Sequence, residues 1–285
     1  MRRLTISHLT EYRYAVPVTL GPHQLLLRPR EGHDVRIESS KLDIFPAALI
    51  KWHRDVFDNS VAVASFAEPA DRLTIASEVV IEHYEEAPLD FVVADYAVTY
   101  PFIYSPEERV ELLPYEQFAY PNDQDALRDW VGGFGFMQGA IETYALLDQM
   151  NRAVVDNFKY VKREEPGVQP PSKTLTERSG SCRDYAALFI EACRYLGLAS
   201  RFVSGYLHAP ATEAGNAATH AWAEVYLPGP GWKGFDPTIG EVTGARHIAV
   251  AVARHPETLP PVTGTFTGPA DAAPVLVVDV RVQSL

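Results

Sequence analysis

The chain has 285 residues, a formal net charge of −12 and a pI near 5.2, with 47% hydrophobic and 22% charged residues. That composition belongs to a globular protein with one large or two ordinary domains and excludes a disordered or fibrous chain. An acidic surface repels phosphate backbones and anionic lipids, so neither nucleic acid nor a membrane surface is an expected partner.

From Leu4 to about Val93 the pattern favours strands. Leu4-Thr5-Ile6-Ser7 and Val35-Arg36-Ile37-Glu38 alternate, and Leu73-Thr74-Ile75 and Val79-Val80-Ile81-Glu82 are β-branched and apolar. Pro17, Gly21-Pro22, Pro29, Asp58-Asn59-Ser60 and Glu68-Pro69 punctuate them with turns. Short strands so spaced predict a small, sandwich-like antiparallel domain over residues 1–100. Residues 101–123 carry Pro101, Pro106, Pro114 and Pro121, which reads as a Pro-rich linker or long irregular connection. The remainder, 124–285, reads as a second domain of helices followed by strands. Asn122 or Asp123 can cap a short helix through Trp130. Ile141, Tyr144, Leu147, Met150, Val154 and Phe158 then recur at helical spacing as a core stripe.

The chemistry is concentrated further on. Ser179 or Ser181 can cap a helix that begins at about Cys182 and stops at Gly197, with Tyr185, Leu188, Phe189, Ala192 and Leu196 on its buried face. Cys182 falls in the first turn, where unpaired N–H groups and the positive end of the helix dipole favour a thiolate. Cys193 falls late in the same helix beside the apolar stripe and reads as an inert core thiol. On one helix the two sulfurs' Cα atoms would lie roughly 16 Å apart, beyond the ~7 Å reach of a disulfide. Two free thiols suit a reducing compartment. The N-terminus lacks an unbroken apolar stretch, so the expected location is cytoplasmic.

Arg201 to Leu207 and His220 to Leu227 read as strands. Pro228-Gly229-Pro230-Gly231 turns the chain into a third, Trp232 to Asp236, ended by Pro237. His220 and Asp236 thus lie on neighbouring antiparallel strands. Their offsets from the turn do not match, so a bulge or a diagonal pair is needed to unite them. An imidazole can take a thiol's proton and later give it to a leaving amine, while a carboxylate fixes the ring's tautomer. No H-x-x-x-H or C-x-x-C spacing, phosphate loop or EF-hand is present, so no metal or other cofactor is expected.

Three blocks together carry a resemblance. Ser-Gly-Ser-Cys-Arg-Asp-Tyr-Ala at 179–186, Thr-His-Ala-Trp-Ala-Glu-Val-Tyr at 219–226 and Gly-Trp-Lys-Gly-Phe-Asp-Pro-Thr at 231–238 resemble the bacterial transglutaminase-like family of predicted cysteine proteases. Tyr12-Arg13-Tyr14 with Pro17-Val18, and Leu26 to Arg30, look like that family's β-rich N-terminal region, and the tail from His247 is similar too. The resemblance implies an α+β fold. A sandwich-like N-terminal domain would precede a papain-like core of helices on an antiparallel sheet, with Cys182 as nucleophile, His220 as general base and Asp236 as orienting carboxylate. Two departures stand out: Ala253-Arg254-His255-Pro256 replaces a usual Gly-Arg-Asp-Tyr, and Ile239 stands where Asn is common.

The expected activity is acyl transfer through a thioester on a peptide or protein substrate. Water as acceptor gives hydrolysis of a peptide, isopeptide or side-chain amide bond, the preferred expectation. An amine gives a transglutaminase, and a non-catalytic interaction module is the remaining alternative. A homo-oligomer is compatible with the sequence. Candidates for a second oxyanion donor are Tyr160 and Gln169. Trp222 either packs beside the catalytic ring, lines a groove or is a core aromatic, and Arg183 and Asp184 read as helix-start supports.

Overall fold

The computed structural model describes residues 1–135, 139–163, 165–208, 219–269 and 272–285. It is an α+β molecule whose strands fall into two main sheets.

The N-terminal sheet is organised around β1 (Arg2–Leu25), with β2 (Val35–Phe45), β3 (Ala48–Arg54), β4 (Ser60–Phe66) and β5 (Ala70–His83) in the order β2-β5-β1-β4-β3. Alternation along β1 buries Leu4, Ile6, His8 and Thr10 on one face. Pairing with β5 runs from Arg2 to Arg13 and breaks before Val18, where the sheet curls. Beyond the break, Tyr14, Val18, Leu20 and Leu25 close a separate small core with Leu73 and Ile75.

Residues 99–177 hold the small elements. They are β6 (Thr99–Tyr100), α1 (Pro106–Glu116), α2 (Gln124–Val131), β7 (Ile141–Glu142), α3 (Thr143–Asn157), β8 (Lys159–Tyr160) and α4 (Pro171–Glu177). α1 lies inside the Pro-rich stretch that the sequence predicts to be linker. Ser105 Oγ accepts the Glu108 N–H, the Glu108 carboxylate accepts the Ser105 N–H, and Pro106 occupies the first helical position.

β9 (Ser179–Gly180) leads into α5 (Cys182–Tyr195). The second sheet follows, with β10 (Ser200–Leu207), β11 (Thr219–Leu227), β12 (Gly231–Asp236), β13 (Glu241–Val242) and β14 (His247–Ala253) in the antiparallel order β13-β12-β11-β10-β14. α5 lies across β10 and β11, burying Ala186, Phe189 and Ile190 among Phe202, Ala223 and Phe235. Phe189 stacks on Phe235 with ring centroids 5.5 Å apart. Burying side chains of this size stabilises by about 2–3 kcal/mol each.

The chain then returns to its beginning. β15 (Val262–Thr267) and β16 (Val275–Ser284) both pair with β1, so C-terminal strands complete the N-terminal sheet. Leu4, Ile6, Val79, Ile81 and Val280 of that sheet share one continuous core with α5 and the second sheet. Among the described residues no helix is long and apolar enough to cross a membrane.

Candidate active site

α5 positions Cys182. Its start is held by Asp184, which is fully buried. Asp184 Oδ2 accepts the Ser181 N–H at 2.8 Å and the Ser181 hydroxyl at 2.7 Å, while Oδ1 accepts from Arg163 at 2.6 Å and from the Gln169 N–H at 2.7 Å. Four donors on one buried carboxylate fix the helix start together with Arg163 and Gln169 beside it. Arg183 adds to this by donating to the Arg163 and Glu165 carbonyls. Cys182 is partly exposed and open to reagents, whereas Cys193 is fully buried and burial pushes its thiol up.

The register explains how His220 and Asp236 meet. Ala223 pairs with Phe235, which places Asp236 opposite Trp222 and diagonal to His220 on the same face. Of the two arrangements the sequence leaves open, the diagonal pair is the one adopted. His220 Nε2 lies 2.6 Å from Asp236 Oδ2. With Nε2 so engaged, Nδ1 is the ring nitrogen left for the Cys182 thiol, whose sulfur lies near enough to favour the charged form of this imidazole.

Electrostatics follow from this packing. Burial pushes the His220 pKa down, but the Asp236 carboxylate and the Cys182 sulfur outweigh it, so the imidazolium is favoured well above its usual range. Burial pushes Asp236 up, yet His220 and then His247 hold its carboxyl below the usual carboxylate range. Asp236 is fully buried, and its second oxygen, Oδ1, accepts the Thr238 N–H at 2.9 Å.

One residue here has no local sign in the sequence. His247, at the start of β14, brings its Nε2 to 3.0 Å from the same Asp236 Oδ2. The chain crosses the end of the sheet from β13 to β14, which carries His247 under the diagonal pair. Donor atoms of His220, Asp236 and His247 all lie within 4.8 Å of one another, a grouping able to surround a metal ion. The pairing of both imidazoles with one oxygen accounts for the same atoms as a hydrogen-bonded set.

Trp222 is buried beside both imidazoles, 6.2 Å from the His220 ring and 5.3 Å from that of His247. Its six-membered ring lies over Gly205, where a Cβ would stand only 2.6 Å from it. Gln169 has its amide N–H groups directed to Thr174 Oγ1 at 3.1 Å and the Ser179 carbonyl at 3.0 Å, so it braces the loop instead of facing the nucleophile. Tyr160 stays half-exposed beside the site. Burial first, then the neighbouring Cys182 sulfur, push its phenol up to about 12, so it stands protonated at neutral pH. Of the two departures, His255 packs its ring against Tyr120 at 5.8 Å and Ile239 donates its N–H to the Asp236 carbonyl at 3.3 Å.

Comparison with known proteins agrees with this architecture. Residues 4–82 match the bacterial transglutaminase-like N-terminal region and residues 134–237 match the transglutaminase-like superfamily. The uncharacterized protein Rv2569c of Mycobacterium tuberculosis is 31% identical over 280 residues, covering 92% of this chain and 87% of that protein. The uncharacterized protein ML0607 of Mycobacterium leprae is 23% identical over 279 residues, covering 94% of each. A crystal structure of a candidate cysteine protease from Cytophaga hutchinsonii shares the fold, with a TM-score of 0.73 at 17% identity over 100% of this chain and 91% of that one. The chain therefore belongs to the transglutaminase-like family, its core preceded by that family's bacterial N-terminal region.

Proposed function

We propose that the protein is a cysteine-dependent acyl-transfer enzyme that hydrolyses a peptide, isopeptide or side-chain amide bond. The carrying observation is a partly exposed thiol at a helix start, its sulfur near enough to favour the charged form of an imidazole that a buried carboxylate holds at 2.6 Å. Family membership supports an enzyme built on a papain-like core.

In this reading His220 takes the Cys182 proton. The sulfur attacks the carbonyl carbon, forming a C–S bond while the carbonyl π electrons move to oxygen. The Cys182 N–H, unpaired at the first helical position, donates to that oxyanion. Tyr160, held protonated, is the candidate for the second donor. His220 then gives its proton to the leaving amine as the C–N bond breaks, leaving a thioester and neutral imidazole. The same imidazole deprotonates water for the second attack, and the thiolate leaves. Asp236 stays ionised throughout and supports the imidazolium.

The test is alkylation by iodoacetamide at neutral pH, located by peptide mass. Wild type and Cys193→Ala should label at Cys182, whereas Cys182→Ala should not label. A Cys182 no more reactive than an ordinary exposed thiol supports a non-catalytic module and overturns the proposal. An acyl group trapped from a lysate on the slow variant His220→Ala identifies a substrate, which is then given to the wild-type enzyme in buffer with and without a primary amine. Turnover only when the amine is present would overturn the hydrolytic assignment.

A further inference from the structure

A Cys-His-Asp reading leaves one buried imidazole beside the triad without a role. His247 is only 6% exposed, yet it is fixed on every side. Its Nδ1 accepts the Gly244 N–H at 3.3 Å. A backbone N–H can only donate, so the neutral ring must carry its proton on Nε2, the nitrogen 3.0 Å from Asp236 Oδ2. His247 therefore donates to the carboxylate oxygen that also receives His220.

The same residue is tied to the N-terminal sheet. Its carbonyl accepts from His83 Nε2 at 3.1 Å, and His83 Nδ1 accepts the Glu85 N–H, which fixes that ring's proton on Nε2 as well. Trp222 packs edge-on against the His247 ring. The adjacent Arg246 is turned to Glu241, an ion pair of 2.5 Å. The groups facing Asp236 are thus His220 from β11, His247 from β14, the Thr238 N–H from its own turn, and the more distant Tyr160 of β8.

We propose that His247 is a positioning residue of the catalytic centre, holding Asp236 ionised and aimed at His220. The inference rests on the triad reading above. A fully buried carboxylate that loses one of its donors becomes easier to protonate. Once it is protonated, the imidazolium loses its counter-charge and the thiolate loses its partner. Loss of His247 therefore acts on the acid side of the profile. His83 extends this support to the N-terminal sheet, giving that sheet a physical link to the site.

The experiment measures Cys182 alkylation by iodoacetamide as a function of pH in the full chain, for wild type, His247→Leu and His247→Gln. Circular dichroism and the unfolding midpoint serve as folding controls. In His247→Leu the acid limb should move upward by about one pH unit, the worth of one hydrogen bond to a buried charge. His247→Gln keeps an N–H for Oδ2 and should recover more than half of that shift, which a packing role alone would not produce. Both variants titrating like wild type would overturn the inference while leaving the triad intact. A wild-type Cys182 with no enhanced reactivity would overturn both. Should His247→Leu fail to fold, two-bond 1H–15N spectra of the wild-type imidazoles read the tautomer directly. A His247 proton on Nε2 is expected, and one on Nδ1 would overturn the inference.

Discussion

Replacing Asp236 by asparagine changes almost no volume and still removes the feature on which the site depends. The carboxylate has two oxygens with different demands: Oδ2 receives two imidazole N–H groups, and Oδ1 receives the Thr238 N–H. An amide offers one oxygen and one NH2. With its oxygen toward the imidazoles, the NH2 confronts the Thr238 N–H. With its oxygen toward Thr238, the NH2 confronts two imidazole nitrogens, and His220 must move its proton to Nδ1, facing the thiol it should deprotonate. Either way a charge-assisted hydrogen bond is lost and buried donors oppose one another. The combined cost is about 3 kcal/mol, or roughly a hundredfold in the population of the competent arrangement. Asp236→Asn should therefore lower the iodoacetamide rate at Cys182 about a hundredfold at neutral pH, while Cys193, buried in the same helix, serves as an internal control that stays unlabelled. Alkylation within a few-fold of wild type, with an unchanged pH profile, would refute the reasoning from this oxygen's two donors.

Other outcomes follow from burial and contact. The Arg194 guanidinium is wholly buried against Glu191 at 2.6 Å and also donates to the Tyr115, Ser200 and Arg254 carbonyls, so Arg194→Met should cost about 3–5 kcal/mol in urea unfolding. The added change Glu191→Leu should not restore it, because the backbone groups those side chains satisfy, including the Ala119 and Tyr120 N–H, stay orphaned. Burial depresses His8 to about 4, below its ordinary 6.5. Its folded-state pKa lies below the unfolded one, so the unfolded chain takes up the proton first and stability falls as pH drops from 6.5 to 4, by about 2–3 kcal/mol. His8→Gln should flatten that part of a thermal-unfolding pH series. Gly205→Ala would set a Cβ 2.3 Å from the Ile248 carbonyl and 2.6 Å from Trp222, so about 1–3 kcal/mol of stability should be lost in unfolding, with slower Cys182 labelling as His247 and His220 shift with the indole.

How much of this is legible in the sequence depends on the range of the interactions. α5 begins at Cys182 because Ser181 and Asp184 stand three apart, a local signal. β11 and β12 were legible from alternation and the Pro-Gly turn, and α+β architecture from the order of these patterns. The diagonal pairing of His220 with Asp236 is not legible in this way, since a register is a relation between strands. α1 is masked in the sequence although Ser105-Pro106-Glu107-Glu108 carries a capping signature, because the four prolines of that stretch read as linker. The buried role of Asp184 was half visible: its link to Ser181 is local, while Arg163 and Gln169 come from a loop whose path no periodicity describes. His247 left no signal of this kind, because its position depends on a crossing from one edge of the sheet to the other.

That crossing also bears on why the N-terminal sheet accompanies the core. β14 is an edge strand, paired with β10 on one side. On its other side the partners are not a strand but single groups from the N-terminal sheet and its loops. Asn59, fully buried, donates its amide to the Val252 carbonyl at 2.8 Å and accepts the Val252 N–H at 2.9 Å, as a neighbouring strand's peptide group would. The Arg30 N–H donates to the Ala249 carbonyl at 2.8 Å, and His83 takes the His247 carbonyl. Three contacts thus close the open edge of the strand that begins with the residue behind Asp236. Asn59→Ala removes the two central bonds and leaves both Val252 groups buried without partners, a cost of about 1–3 kcal/mol per group. If the N-terminal sheet serves the site by finishing this edge, hydrogen exchange at the Val252 amide and the acid limb of Cys182 alkylation should change together in that variant. Faster exchange with an unaltered limb would mean that the edge stabilises the fold and does nothing for the site.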